Sequence, residues 1–218
     1  MSGPGTVNVV DWVARFDELT ARRPTLTAAE LDDLGLAAWF LGRESESERA
    51  WDAAHLAYLD AGETDAAIRC VFWLGFTLSD QGDTVRARAW MSRLFELCGI
   101  AGRPPQSEAT AVLAQAAAAF GEGRLEESVS LGERAVALAQ AGRDPDIEVL
   151  ATMSLGRALM FSGRISEGFA CMDRVMLAVS SGRVSVRAAG PAYCAVIASC
   201  LERWDVERAR VWTRDLSE

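Results

Sequence analysis

The stretch Leu34-Gly35-Leu36-Ala37-Ala38-Trp39-Phe40-Leu41-Gly42 decides the fold, because it recurs. Leu74-Gly75-Phe76-Thr77-Leu78-Ser79-Asp80-Gln81-Gly82 repeats it, and so does Leu155-Gly156-Arg157-Ala158-Leu159-Met160-Phe161-Ser162-Gly163. Each copy places a Leu-Gly pair eight and seven residues ahead of a second glycine. Residues 111–123 form a further copy in which Ala116 replaces the first glycine. The second glycines, Gly42, Gly82, Gly123 and Gly163, are spaced by 40, 41 and 40 residues. A further step of 41 reaches Trp204, inside a fifth, degenerate copy. Five residues past each of these positions stands a small residue or serine: Ser47, Ala87, Ser128, Gly168 and Ala209.

A fixed period of this length is the mark of stacked supersecondary units. The second glycine suits a left-handed turn that ends one helix and starts the next. Gly35, Gly75 and Gly156 fall mid-helix, where glycine costs about 1 kcal/mol relative to alanine. Their recurrence predicts helix–helix contacts too close for a side chain, met by the small residue of the second helix. Trp51, Ala54, His55, Tyr58 and Leu59 share a helical face, and Leu131, Ala135 and Leu138 follow the same pattern in part. Gly62, Gly142 and Gly182 are expected to close the second helices, with Asp65, Asp144 and Asp146 as caps for the helices that follow. The fold class is therefore all-α: a TPR-like right-handed α-solenoid of about five helix-turn-helix hairpins, with a period of about 40 residues. Residues 1–28 read as a tail and a packing helix, with Trp12, Val13, Phe16 and Leu19 on one face. Residues 29–218 read as the repeat domain. Residues 99–105 form the clearest loop, expected to interrupt one shared superhelix without making independent domains.

Composition narrows the function classes. The chain has 218 residues, 50% of them hydrophobic and 24% charged, which is ordinary for a globular protein. Its formal net charge is −9, so it has no overall basic footprint for nucleic acid or anionic lipid. The N-terminus lacks the pattern of a signal peptide, and no apolar run is long enough to span a membrane, so a cytoplasmic protein is expected. Cys70, Cys98, Cys171, Cys194 and Cys200 form no CxxC pair and read as reduced, buried thiols.

Chemistry is sparse. There is no P-loop, no dinucleotide fingerprint and no GxSxG elbow. His55 is the one imidazole and reads as a packed histidine. Glu44, Glu46, Glu48 and Asp52 cluster at a helix start, where a solvated face and the helix dipole account for them. No catalytic residue, metal site or cofactor is expected, and the reading is non-enzymatic. If first helices line a concave face, that face carries Trp39 and Phe40 from the first repeat and Arg69, Phe72 and Phe76 from the second. Phe120 comes from the third, and Met153, Arg157 and Phe161 from the fourth. Two readings stand side by side. These side chains fill inter-repeat packing, or they form a groove for a protein partner, a peptide or a small apolar ligand. Trp51 and Trp73 belong to the core under both. The basic set with which chaperone-binding TPR proteins hold a C-terminal carboxylate is largely missing, which argues against that class of partner. An uncapped apolar end around Trp204, Val211 and Trp212 predicts a homodimer through that end.

Residues 37–42 (AAWFLG), 50–62 (AWDAAHLAYLDAG), 69–76 (RCVFWLGF), 82–90 (GDTVRARAW) and 144–159 (DPDIEVLATMSLGRAL) are similar to the TPR region of actinobacterial LuxR-type transcriptional regulators. The stretches 163–182 and 193–213 carry the same resemblance, which covers roughly residues 29–218. It implies a sensory or assembly region for transcriptional regulation. Such regulators usually carry a helix-turn-helix domain further along, and none lies within this chain. DNA is therefore expected to be reached only through a domain absent from this chain. The alternative is a stand-alone scaffold or adaptor that forms homo- or hetero-oligomers.

Overall fold

A computed structural model describes residues 10–99 and 104–217, with the side chains of residues 106 and 215–217 excepted. Eleven α-helices appear among the described residues: α1 Trp12–Ala21, α2 Ala28–Phe40, α3 Glu44–Asp60, α4 Thr64–Asp80, α5 Thr84–Cys98, α6 Pro105–Gly121, α7 Leu125–Gly142, α8 Pro145–Phe161, α9 Ile165–Ser180, α10 Val186–Glu202 and α11 Val206–Ser217. A short 3-10 turn, Arg23–Thr25, joins α1 to α2. No strand occurs among these residues. The architecture is a TPR-like helical repeat of five hairpins: α2/α3, α4/α5, α6/α7, α8/α9 and α10/α11. By their internal contacts the residues divide into two compact units, one ending at Leu97 and one starting at Cys98.

The hairpin turns follow from one local motif. Gly42 has φ 67°, its N–H bonds to the Trp39 carbonyl, and the Arg43 N–H reaches the Ala38 carbonyl at 2.9 Å. This double closure satisfies carbonyls that the end of α2 would otherwise leave without a partner. The same pair of bonds closes α4 at Gly82, α6 at Gly123 and α8 at Gly163. It also closes α10, where Trp204 takes the glycine's place with φ 59°. The fifth copy is therefore a true turn of the series. At the end of α7 the left-handed residue is Arg143, φ 54°, while Gly142 is the last helical residue.

Caps are mixed. Asp144 caps α8 by accepting from the Ile147 N–H at 3.1 Å. Asp65 and Asp146 do not cap. Each lies inside the first turn of its helix, and Asp146 accepts instead from the N–H and hydroxyl of Ser185.

The mid-helix glycines sit at close contacts, as their cost requires. A Cβ on Gly35 would lie 2.5 Å from the Trp51 ring, and one on Gly156 would lie 2.9 Å from the Cys171 Cβ. A Cβ on Gly75 would run into Met91. The small residues early in the second helices, Ser47, Ala87, Ser128, Gly168 and Ala209, are all buried.

In the first unit α1 packs on α2, through Phe16 and Leu19. Val13, expected on the same face, is 54% exposed. A ten-residue helix on one neighbour buries a narrow stripe, and Val13 falls at its edge. In the second unit α8 is the central helix, in contact with α6, α7, α9 and α10. No described helix is long and apolar enough to cross a membrane.

Candidate functional site

The nine candidate groove residues all lie on first helices of hairpins, and they divide between the two units. In the first unit Trp39 and Phe40 end α2. Trp39 is half-buried and Phe40 is 37% exposed. Phe40 stacks on Trp12 of α1, with ring centroids 4.5 Å apart and planes at 14°. Trp39 touches Trp73 at 6.1 Å, Trp73 meets Phe76 edge-on at 5.3 Å, and Phe76 lies against Phe72. A continuous aromatic seam thus runs from α1 through α2 to α4. Arg69 is exposed one turn along α4. Phe72 lines no surface: only 5% of it is accessible. Residues on every side of α4 are buried, so a ring there is enclosed wherever it points.

In the second unit Phe120 of α6 and Phe161 of α8 meet edge-to-face at 5.2 Å. Phe161 is 49% exposed. The Arg157 guanidinium lies over Phe120 at 5.2 Å, and that of Arg203 lies over Phe161 at 5.4 Å. Arg203 also donates to the Met160 carbonyl at 3.1 Å. Met153 belongs to the core, because α8 has neighbours all round it.

Sequence periodicity missed Trp12, which covers Phe40, and Arg203, which covers Phe161. The signal for Arg203 was present: it immediately precedes the fifth turn position. Nothing in the pattern marked it as a partner of a ring 42 residues earlier.

Titratable groups elsewhere have structural explanations. His55 is buried, T-shaped against the Trp90 ring with centroids 5.2 Å apart, and Asp52 Oδ1 lies 3.3 Å from Nδ1. That geometry is too poor to satisfy Nδ1 as a hydrogen bond, and it leaves a weak charge attraction only. Burial pushes the imidazole pKa down, against the pull of Asp52. Glu48 pairs with Arg86 at 2.5 Å, while Glu44 and Glu46 occupy the first turn of α3. Cys70, Cys171 and Cys200 are buried, and burial pushes the Cys200 thiol up to about 11, so it stays protonated. Cys98 is half-buried and Cys194 is exposed, since α10 turns that side outward. Among the described residues no group of His, Cys, Asp and Glu is placed to hold a metal.

Repeating hairpins, mid-helix close contacts and aromatic first-helix ends define the class: a TPR-like helical-repeat protein. No family model and no curated protein matches the chain. Among solved structures it is similar to BtubC (BKLC) from P. vanneervenii, with 16% identity, a TM-score of 0.51, and 77% of this chain and 72% of that chain covered. It is also similar to a chain of the APC/C hetero-tetramer Cut9-Hcn1, at 13% identity and a TM-score of 0.48, where 94% of this chain spans 42% of the other. At such identity the BtubC likeness shows a shared fold alone.

Proposed function

We propose that the chain is a non-enzymatic protein-interaction module that presents the aromatic ends of its first helices to a protein or peptide partner. One observation carries this reading. Phe40 and Phe161 stand at the same place in the repeat, two residues before the turn, and both leave ring surface in solvent although they belong to different units. Residues kept only for packing would be covered. Exposed aromatics beside arginines are the side chains that dominate protein interfaces.

The resemblance to LuxR-type regulators supports a finer reading: a cytoplasmic sensory region whose partner, or a small apolar ligand, alters the action of an associated DNA-binding domain. The exposed apolar side chains Leu201, Trp204, Val206 and Val211 favour a second, compatible reading as an oligomer-forming adaptor. Light scattering across a concentration series decides it, and a strict monomer at the highest concentration counts against it.

The test of the main reading is photo-crosslinking in cells from p-benzoylphenylalanine at position 40 or 161. The expected result is a discrete cross-linked protein from these positions and none from position 56 or 177, exposed on second helices. Equal labelling from all four positions overturns the proposal.

A further inference from the structure

Phe120 of α6, Arg157 and Phe161 of α8, and Arg203, which caps α10, form a ladder of rings and guanidiniums across three consecutive first helices, and the sequence gives no reason for its charge. Most arginines whose partners are defined, such as Arg15, Arg86, Arg124 and Arg208, are held by carboxylates. Among the described residues no carboxylate lies within ion-pair distance of Arg157 or Arg203, in a chain of net charge −9. Arg203 is exposed and Arg157 half-buried, so their charge sits beside aromatic surface with no carboxylate to neutralise it.

We infer that this ladder is a docking site for an acidic peptide segment, with side-chain carboxylates on Arg157 and Arg203 and a neighbouring apolar side chain on the exposed ring of Phe161. This rests on the protein-interaction reading and adds the chemistry of the partner. Guanidiniums stacked on rings are oriented before the ligand arrives, and their free N–H groups suit carboxylates. Arg203 is pinned further by its bond to the Met160 carbonyl. Packed helices lie about 8–10 Å apart, so three of them span roughly 18 Å. An extended chain at about 3.4 Å per residue covers that distance with about five residues. A peptide therefore fits better than a single small anion. A nucleic acid would meet the same arginines, but with a charge on every nucleotide it is repelled by an acidic protein far more than a short peptide carrying a few carboxylates.

The test pans a randomised library of C-terminally amidated peptides against the full chain, then measures selected sequences by fluorescence anisotropy. The expected sequences pair Asp or Glu with Leu or Phe. Their affinity falls about tenfold in R157Q/R203Q, weakens with added salt, and also falls in F161A. Circular dichroism confirms that the variants keep the wild-type helix content. Selection without acidic enrichment, or affinity unchanged in R157Q/R203Q, overturns the inference. Neutral or basic binders that need Phe161 would overturn it while leaving the interaction-module reading intact. A library that yields no binder overturns the inference as well, and the crosslinking result then decides the broader reading independently.

Discussion

The Ser47 hydroxyl donates to the Gly35 carbonyl across the first hairpin at 2.8 Å, and both residues are buried. Ser128 makes the same bond to the Ala116 carbonyl at 2.9 Å, twelve residues apart in each case. The bond ties the second helix to the middle of the first, and it forms only if the first helix offers its backbone there. Ala116 shows that a methyl group is tolerated where the facing residue is serine and no indole stands opposite. Gly35 faces Trp51, which is fully buried and has no room to retreat. Gly35→Ala is therefore expected to destabilise by about 1–3 kcal/mol despite its better helix propensity. Ser47→Ala should cost about 0.5–1.5 kcal/mol. Gly121→Ala is the control: beyond its own helix and chain neighbours no atom lies within 4 Å of the added Cβ, and the variant should gain up to about 1 kcal/mol. Urea unfolding of the three variants checks the order, and a stabilised Gly35→Ala would refute the close-contact argument.

Trp204 holds a left-handed backbone with 87% of its surface exposed. A non-glycine residue there carries about 1–2 kcal/mol of strain. So little of the ring is covered that its loss removes little packing. Trp204→Gly should therefore raise stability by about 1 kcal/mol, or about 2–4 °C in Tm for a chain of this size. Calorimetry on the purified chain measures this directly. A lower Tm would mean that the indole contributes packing that outweighs the strain.

The period of the turn positions was enough to place this residue, because a Schellman-type turn is a local device set by a few neighbouring residues. Burial on the first helices was not legible in the same way. Phe72 and Phe161 read alike in a pattern, yet one is enclosed and the other open. The difference is how many helices surround each ring, and that depends on packing between repeats. Arg203 escaped for a related reason. Its ring partner is one repeat away, and an exposed arginine has no periodicity that marks it.

The N-terminal helix separates face from contact. Leu19 is fully buried against the first hairpin, whereas Val13 remains largely in solvent. Leu19→Ala should cost about 2–5 kcal/mol through lost burial and the cavity left behind. Val13→Ala should stay within about 0.5 kcal/mol of wild type. Denaturant midpoints for the two variants provide the comparison. Similar losses would place Val13 in an interface.

Acid should weaken the first unit in two separate steps, starting with His55. Burial against Trp90 lowers its folded pKa below the ordinary 6.5, with Arg93 adding to that shift and Asp52 opposing it. Above 6.5 both folded and unfolded imidazoles are neutral, so pH has no effect through this group. Below 6.5 the unfolded chain takes up the proton first. Stability then falls with pH until the folded pKa is reached, and levels off. Glu30 acts later. The Thr27 backbone and hydroxyl and the Arg22 guanidinium hold its carboxyl at about 2, so its contribution is present above the ordinary 4.5 and is lost as pH drops toward 2. The two windows do not overlap at their onset. His55→Gln should therefore abolish the slope that begins near pH 6.5 and leave the loss below 4.5 in place. Urea midpoints measured from pH 8 to 3 on both proteins would show this, and an unchanged slope in His55→Gln would assign the first step to another group.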